Sequence, residues 1–233
     1  MHIFVSGSHG LIGSALTRAL QARGDQVTAI RRSGETLDLS GIGGADAVVH
    51  LAGAPLGERR WDEARKRVIM DSRETPTRQL AEALAALDPG HRPGVLISGS
   101  AVGFYGDRGD QPLTEASEGG AGFLSEVCRR WEGATAVADE AGIRVVRLRT
   151  GVVLSGAGGA LKPLLLPFKL GLGGRIGTGR QWFSWIALED EINAIIRILD
   201  TADLRGPVNA TAPNPVTYAE FARTLAASCT GPR

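Results

Sequence analysis

The sequence predicts an α/β protein in which helices cover both faces of a doubly wound parallel sheet. Three observations predict it. A short apolar run at the N-terminus passes at once into a turn with glycine at 7, 10 and 13, and then into an amphipathic pattern. Strand-like and helix-like segments alternate along the following chain. The strand-like runs are continuously apolar, as strands buried on both faces are.

In order, His2-Ile3-Phe4-Val5-Ser6 reads as the first strand. Leu11, Ile12, Ala15, Leu16, Ala19 and Leu20 recur at helical spacing until Gly24 stops them. Val27-Thr28-Ala29-Ile30 is a second strand and Ala47-Val48-Val49-His50-Leu51 a third. Residues 61–87 read as a helix with Val68, Ile69, Leu80, Leu84 and Leu87 on one side, and Pro76 marks a kink or boundary in it. Val95-Leu96-Ile97-Ser98 is a fourth strand, 123–141 a helix, and 144–148 a fifth strand. After Gly151 the pattern changes. Residues 155–180 are rich in glycine, with Pro163 and Pro167 among leucines, and read as a substrate-side excursion. A helix over 188–200, a late strand at 208–210 and a helix over 218–227 capped by Thr217 complete the chain. The division expected is 1–154, a dinucleotide-binding Rossmann-like unit, and 155–233, a small substrate lobe plus the late helix and strand. The tail Ser228-Cys229-Thr230-Gly231-Pro232-Arg233 lacks an apolar face, so that lobe is expected to be incomplete.

Composition narrows the function. The 233 residues suffice for one sizeable core. With 26 Lys+Arg against 25 Asp+Glu, no global field selects nucleic acid or an anionic membrane. Cys128 and Cys229 lie far apart, form no metal-type cluster and suit a reducing compartment, so a cytoplasmic protein without a metal is expected. The first apolar stretch is only a strand long, and the stretch at 163–172 is broken by Pro167 and Lys169. Neither a leader peptide nor a membrane span is read here. A small-molecule partner is expected, and no oligomeric state is assigned.

The turn Gly7-Ser8-His9-Gly10-Leu11-Ile12-Gly13 carries the chemistry. Backbone N–H groups at a helix N-terminus point at an anion, and the helix dipole favours negative charge there. Gly7 lets the chain turn, Gly10 lets backbone approach a pyrophosphate, and Gly13 lets helix and strand pack closely. A tight turn without a ligand is the plain alternative. Where NAD sites place an acidic residue, at the end of the second strand, this chain has Arg31-Arg32. Guanidinium groups suit a 2′-phosphate, so NADP(H) is expected over NAD(H). Asp38 and Leu39 lie where the chain reaches the adenine, and Leu51, Ala52 and Gly53 offer small side chains beside the cofactor.

Gly7-x-x-Gly10-x-x-Gly13, His50-Leu51-Ala52-Gly53, Ser98-Gly99-Ser100-Ala101 and Tyr105-Gly106 resemble the extended short-chain dehydrogenase/reductases. Residues 98–106, 126–132, 149–154 and 179–185 are similar to an atypical subgroup, the YfcH-type "sugar nucleotide epimerase-like" family. The resemblance covers nearly the whole chain. It implies the fold and NADP(H) binding and leaves the substrate open. The usual chemistry needs a Tyr acid/base, a Lys one helical turn later, and an upstream Ser or Thr. Here Gly109 and Ala222 stand four residues after Tyr105 and Tyr218, so neither tyrosine starts that motif. Matching Glu132 to the family's downstream acid puts Leu124 at the Tyr place and Cys128 at the Lys place. The resemblance makes Ser100 the serine and Arg73 the arginine that replaces a supporting Asn in the subgroup.

Each candidate has a plainer alternative. Cys128 is equally a small buried hydrophobe, Ser100 a partner for strand-end backbone, and Arg73 a surface residue paired with Glu63, Asp71 or Glu74. Tyr105 is the phenol near the strand ends, a proton donor or a wall of the pocket. Arg149, Arg175, Arg180, Gln181 and Trp182 are expected to converge on an anionic substrate, unless Trp182, Phe183 and Trp185 close the core. Two functions compete: an NADP(H)-dependent oxidoreductase or epimerase working beside Ser100, and a non-catalytic NADP(H)-binding sensor or interaction protein.

Overall fold

The computed structural model describes residues 1–34, 36–57 and 59–230. Among them six parallel strands form the main sheet: β1 (His2–Ser6), β2 (Gln26–Ile30), β3 (Ala47–His50), β4 (Val95–Ala101), β5 (Arg144–Thr150) and β6 (Gly206–Ala210). Their spatial order is β2-β1-β3-β4-β5-β6. The order reverses between β1 and β3, so a crevice opens beyond their carboxyl ends.

Helices cover both faces. Helices α1 (Leu11–Ala22) and α6 (Leu188–Asp200) bury Leu16, Leu20, Ile195 and Ile198 against Ile3, Val5, Val49 and Ile97. On the opposite face α2 (Glu63–Ala85) sets Leu80, Ala81 and Leu84 against Phe4, Val48, Leu96 and Val145. Burial of these side chains at about 1.5–3 kcal/mol each is what holds the layers together. Helix α2 runs unbroken through Pro76, so of the two readings there, a kink or a boundary, the boundary is absent. Packing of its apolar stripe outweighs one missing N–H.

The helix expected over 123–141 is two: α3 (Phe123–Gly133) and α4 (Ala136–Glu140). The Thr135 hydroxyl donates to the Glu132 carbonyl at 2.7 Å, taking up a helix acceptor at the break. The strands also differ from continuous apolar runs. On the face under α3, β4 carries Leu96, Ser98 and Ser100, and β5 carries Val145, Arg147 and Arg149. This face is apolar at the amino ends of the strands and polar toward their carboxyl ends.

The excursion after β5 folds beside the main sheet. Val152–Ser155 pairs with Trp185–Ala187 and with Gly158–Gly159, and α5 (Lys162–Lys169) packs on α7 (Tyr218–Thr230). Phe168, Tyr218 and Phe221 form the centre of that contact, with Phe183 stacked on Phe221 at 4.4 Å. The cap expected at Thr217 is present: Glu220 N–H donates to Thr217 Oγ1, and the Glu220 carboxylate accepts from Thr217 N–H. The tail reading at Gly231, Pro232 and Arg233 lies outside the described residues, while α7 itself continues to Thr230.

Candidate functional site

The glycine turn joins β1 to α1 at the point where the strand order reverses. Gly7 has φ +69°, and a Cβ there would stand 2.9 Å from Ala52 N. A Cβ on Gly13 would stand 2.2 Å from the Gly7 carbonyl oxygen. Both positions therefore admit only glycine. Gly10 is different: its φ is −71°, it begins the helix, and its N–H donates to the Gly7 carbonyl at 2.9 Å. No side chain caps α1, so the N–H groups of Leu11, Ile12 and Gly13 face the turn. That cradle suits a pyrophosphate. His9 is exposed at its rim, with Nδ1 at 3.4 Å from Ser8 Oγ. Ile12 packs into the core, while Leu11 meets the hairpin at Gly158–Gly159, where a Cβ on Gly159 would stand 2.8 Å from Leu11 Cδ2.

Arg31 and Arg32 are exposed just beyond β2. Arg32 Nε donates to the Gly34 carbonyl at 2.8 Å. The Asp38 carboxylate accepts from Ser40, which lowers its pKa, and the Arg31 charge adds to that effect. Leu39 packs against the second core cluster. Leu51, Ala52 and Gly53 pass the mouth of the turn, with Leu51 N–H held by Ser6 Oγ at 3.2 Å. His50 is fully buried beneath them, its Nδ1 2.6 Å from Ser6 Oγ and its Nε2 without a partner. Burial pushes its pKa down to about 4.

Across the crevice, sheet register places Ser100, Arg149 and Asn209 side by side on β4, β5 and β6. Ser100 Oγ donates to Glu132 Oε1 at 2.7 Å. Arg149 grips the same carboxylate through Nε and Nη2 at 2.8 and 2.9 Å. Its Nη1 donates to the Tyr105 hydroxyl at 3.0 Å, which in turn donates to Asn209 Oδ1 at 2.6 Å. The guanidinium also lies 3.5 Å from the centre of the Phe104 ring. Burial opposes its charge, but the Glu132 contacts raise its pKa above the ordinary arginine value. Arg149 thus belongs to a closed network, and the expectation that it joins Arg175, Arg180, Gln181 and Trp182 in the excursion is corrected. Gln181 donates to the Ile176 carbonyl, and Trp182 Nε1 to Asp110 at 2.7 Å. Trp182 is 48% exposed and closes no core.

Cys128 and Arg73 complete the wall. Burial raises the pKa of Cys128, so its thiol is neutral beside Ser100, and it donates to the Ala101 carbonyl at 3.6 Å. Arg73 is half-buried. It donates to the Ile69 and Ala54 carbonyls at 3.1 and 3.0 Å and lies 5.1 Å from the Trp131 ring centre. These contacts differ from the carboxylate pairing weighed above, and burial lowers its pKa. The Trp131 ring lies against Gly99, where a Cβ would stand 2.8 Å from it. Ser100, Cys128 and Arg73 are therefore brought together, and Tyr105 adjoins them through Arg149. Asn209 was not among the expected site residues, and Glu132 had entered only as the family's downstream acid. The alternation of polar residues in β4 and β5 is the sequence signal that this half-face needs polar partners.

Among the described residues no group of three or more His, Cys, Asp or Glu side chains is placed to hold a metal, and no helix is long and apolar enough to cross a membrane.

Residues 3–210 match the NAD dependent epimerase/dehydratase family. An epimerase family protein of Mycobacterium bovis is 46% identical over 233 residues, covering 94% of this chain and 76% of that protein. The structure of the human epimerase family protein SDR39U1 with NADPH superposes with TM-score 0.90 at 35% identity, covering 98% of this chain and 80% of the human one. A nucleoside-diphosphate sugar epimerase from Corynebacterium glutamicum gives TM-score 0.86 at 43% identity. The match covers 98% of this chain but only half of that longer one.

Proposed function

Since the chain belongs to the NAD dependent epimerase/dehydratase family, we propose that it binds NADP(H) and performs hydride chemistry on an anionic, nucleotide-sugar-like substrate. The observation that carries the cofactor choice is the pair Arg31 and Arg32 beyond β2, beside a turn that only glycine at 7 and 13 can make. The NADPH-bound human relative supports it. Gly7, Gly10 and Gly13 with the α1 amides would hold the pyrophosphate. Arg31 and Arg32 would hold the 2′-phosphate, with Asp38 and Leu39 at the adenine. His9 and the backbone of Leu11 and Ile12 would border the pyrophosphate, and Leu51, Ala52 and Gly53 would line the path to the nicotinamide. When bound, the nicotinamide supplies the hydride acceptor or donor.

This chain's residues do the rest. Ser100 orients the ligand at the strand ends. Arg73 keeps a cation at Gly53, where a Lys is missing from α3. Cys128 fills the Lys place as a neutral thiol. The proton passes through Tyr105 or a bound water, and the engagement of the Tyr105 hydrogen by Asn209 favours water. The likeness to the Corynebacterium sugar epimerase supports the substrate class. A reducing, cytoplasmic setting accords with two free cysteines.

That same engagement of both hydroxyls supports a second reading, a non-catalytic NADP(H) sensor. The deciding experiment titrates NADPH and NADH by fluorescence, then mixes the NADP⁺ complex with a panel of nucleotide sugars. It follows nicotinamide absorbance together with the sugar products by chromatography, because an epimerisation returns its hydride and leaves no net change in absorbance. Turnover of any sugar establishes the enzyme; tight NADPH binding without turnover establishes the sensor.

A further inference from the structure

Both hydroxyls at the end of β4 give their hydrogens to the protein. Ser100 Oγ lies 2.7 Å from a Glu132 oxygen that also accepts from Arg149 Nε at 2.8 Å. An ionised carboxylate can only accept, so the serine is the donor in that bond. What Ser100 offers the crevice is a lone pair. Tyr105 is disposed likewise, donating to Asn209 Oδ1 while accepting from Arg149. The neighbouring thiol of Cys128 is turned to the Ala101 carbonyl. Glu132 is nearly buried and anchored at two points, so it holds this arrangement rigidly.

We propose that Glu132, held by Arg149, is a positioning residue that fixes Ser100 as a hydrogen-bond acceptor, so that the ligand group docking on Ser100 is a hydroxyl or N–H and not a carbonyl. The inference rests on the nucleotide-sugar reading above and names the substrate class of that site as the hydroxyl-bearing form. A carbonyl oxygen placed there would meet lone pairs and remain unpaired, whereas a hydroxyl completes the chain ligand–Ser100–Glu132–Arg149.

The test uses UDP-glucose and its monofluorinated 2-, 3-, 4- and 6-deoxy analogues as probes, with affinities measured by calorimetry on the NADPH-saturated protein. Fluorine keeps the size of a hydroxyl but removes its hydrogen. One analogue is expected to bind at least about tenfold more weakly than UDP-glucose. Ser100→Ala should abolish that discrimination. The double variant Glu132→Leu with Arg149→Met, which returns the hydrogen to Ser100, should reduce it to within about threefold. A purely structural Glu132 would weaken all five probes alike. Equal affinity of the native protein for all five overturns the inference and leaves the reading standing. Discrimination that survives Ser100→Ala also overturns it, and that variant decides the matter if the double variant fails to bind NADPH. If NADPH saturates the protein and UDP-glucose does not bind, the nucleotide-sugar reading fails and this inference with it.

Discussion

Glu132 and Arg149 meet in a two-point ion pair, at 2.8 and 2.9 Å, with Arg149 only 4% exposed. The pair ties α3 to the carboxyl end of β5 and carries Ser100 and Tyr105 on its two ends. Removing one partner strands a buried charge. Glu132→Ala should cost about 3–5 kcal/mol of stability, whereas Glu132→Leu with Arg149→Met should cost much less. Urea unfolding of the three proteins measures this, and equal losses in the two variants would contradict it.

Arg31 and Arg32 project from the end of β2 into solvent. A charge-assisted contact contributes about 1.5–3 kcal/mol, so replacing both by Ala should weaken NADPH at least about tenfold and leave NADH nearly unchanged. Fluorescence titration of both cofactors checks it. A native protein with equal affinity for the two would show that these arginines do not select the phosphate.

Gly10 and Gly13 of the turn should respond differently. A Cβ at Gly13 meets the Gly7 carbonyl at 2.2 Å, against 3.2 Å for one at Gly10. Gly13→Ala should thus lower the melting temperature by several degrees. Gly10→Val should leave the fold nearly intact and abolish NADPH binding, because it crowds the anion cradle and not the strand. Thermal melts with and without NADPH separate the two outcomes.

The turn and the order of strands and helices were legible because glycine spacing and hydrophobic period are local properties. Arg31 and Arg32 were visible for the same reason. The partnership of Glu132 with Arg149 was not. It depends on the register of β4 with β5 and on the way α3 lies over them, relations between segments far apart in sequence. The alternation Val145, Arg147, Arg149 did signal a polar half-face, but an apolar reading of the strand concealed it. The break after Gly133 was equally hidden, since it turns on one hydroxyl, that of Thr135.

Burial raises the Cys128 pKa, so at neutral pH its thiolate fraction is small. With 3% of its surface exposed, it should react with iodoacetamide far more slowly than Cys229. Cys128→Ala should lower stability by a packing term and leave NADPH binding intact. Mass spectrometry of alkylated peptides over time checks the order of reaction, and prior labelling of Cys128 would show an activated thiol.

Glu191 makes stability depend on pH. It lies in the first turn of α6 with no exposed surface; one carboxyl oxygen accepts from the Thr150 hydroxyl at 2.8 Å and the other has no partner. Burial raises its pKa from 4.5 to about 7. Between those values the folded protein holds a proton that the unfolded chain has released. Stability from this group is full below about 4.5 and is lost as pH rises to about 7, a span of about 3 kcal/mol. His50 acts in the opposite sense: with its pKa near 4, the fold is weakened as pH falls from 6.5 toward 4. Glu191→Gln keeps the shape and a partner for Thr150 but cannot ionise. Denaturation at pH 5.5 and pH 8 should show the native protein losing stability at the higher pH relative to the Gln variant. Identical pH dependence of the two proteins would mean that Glu191 is ionised in the fold and paired after all.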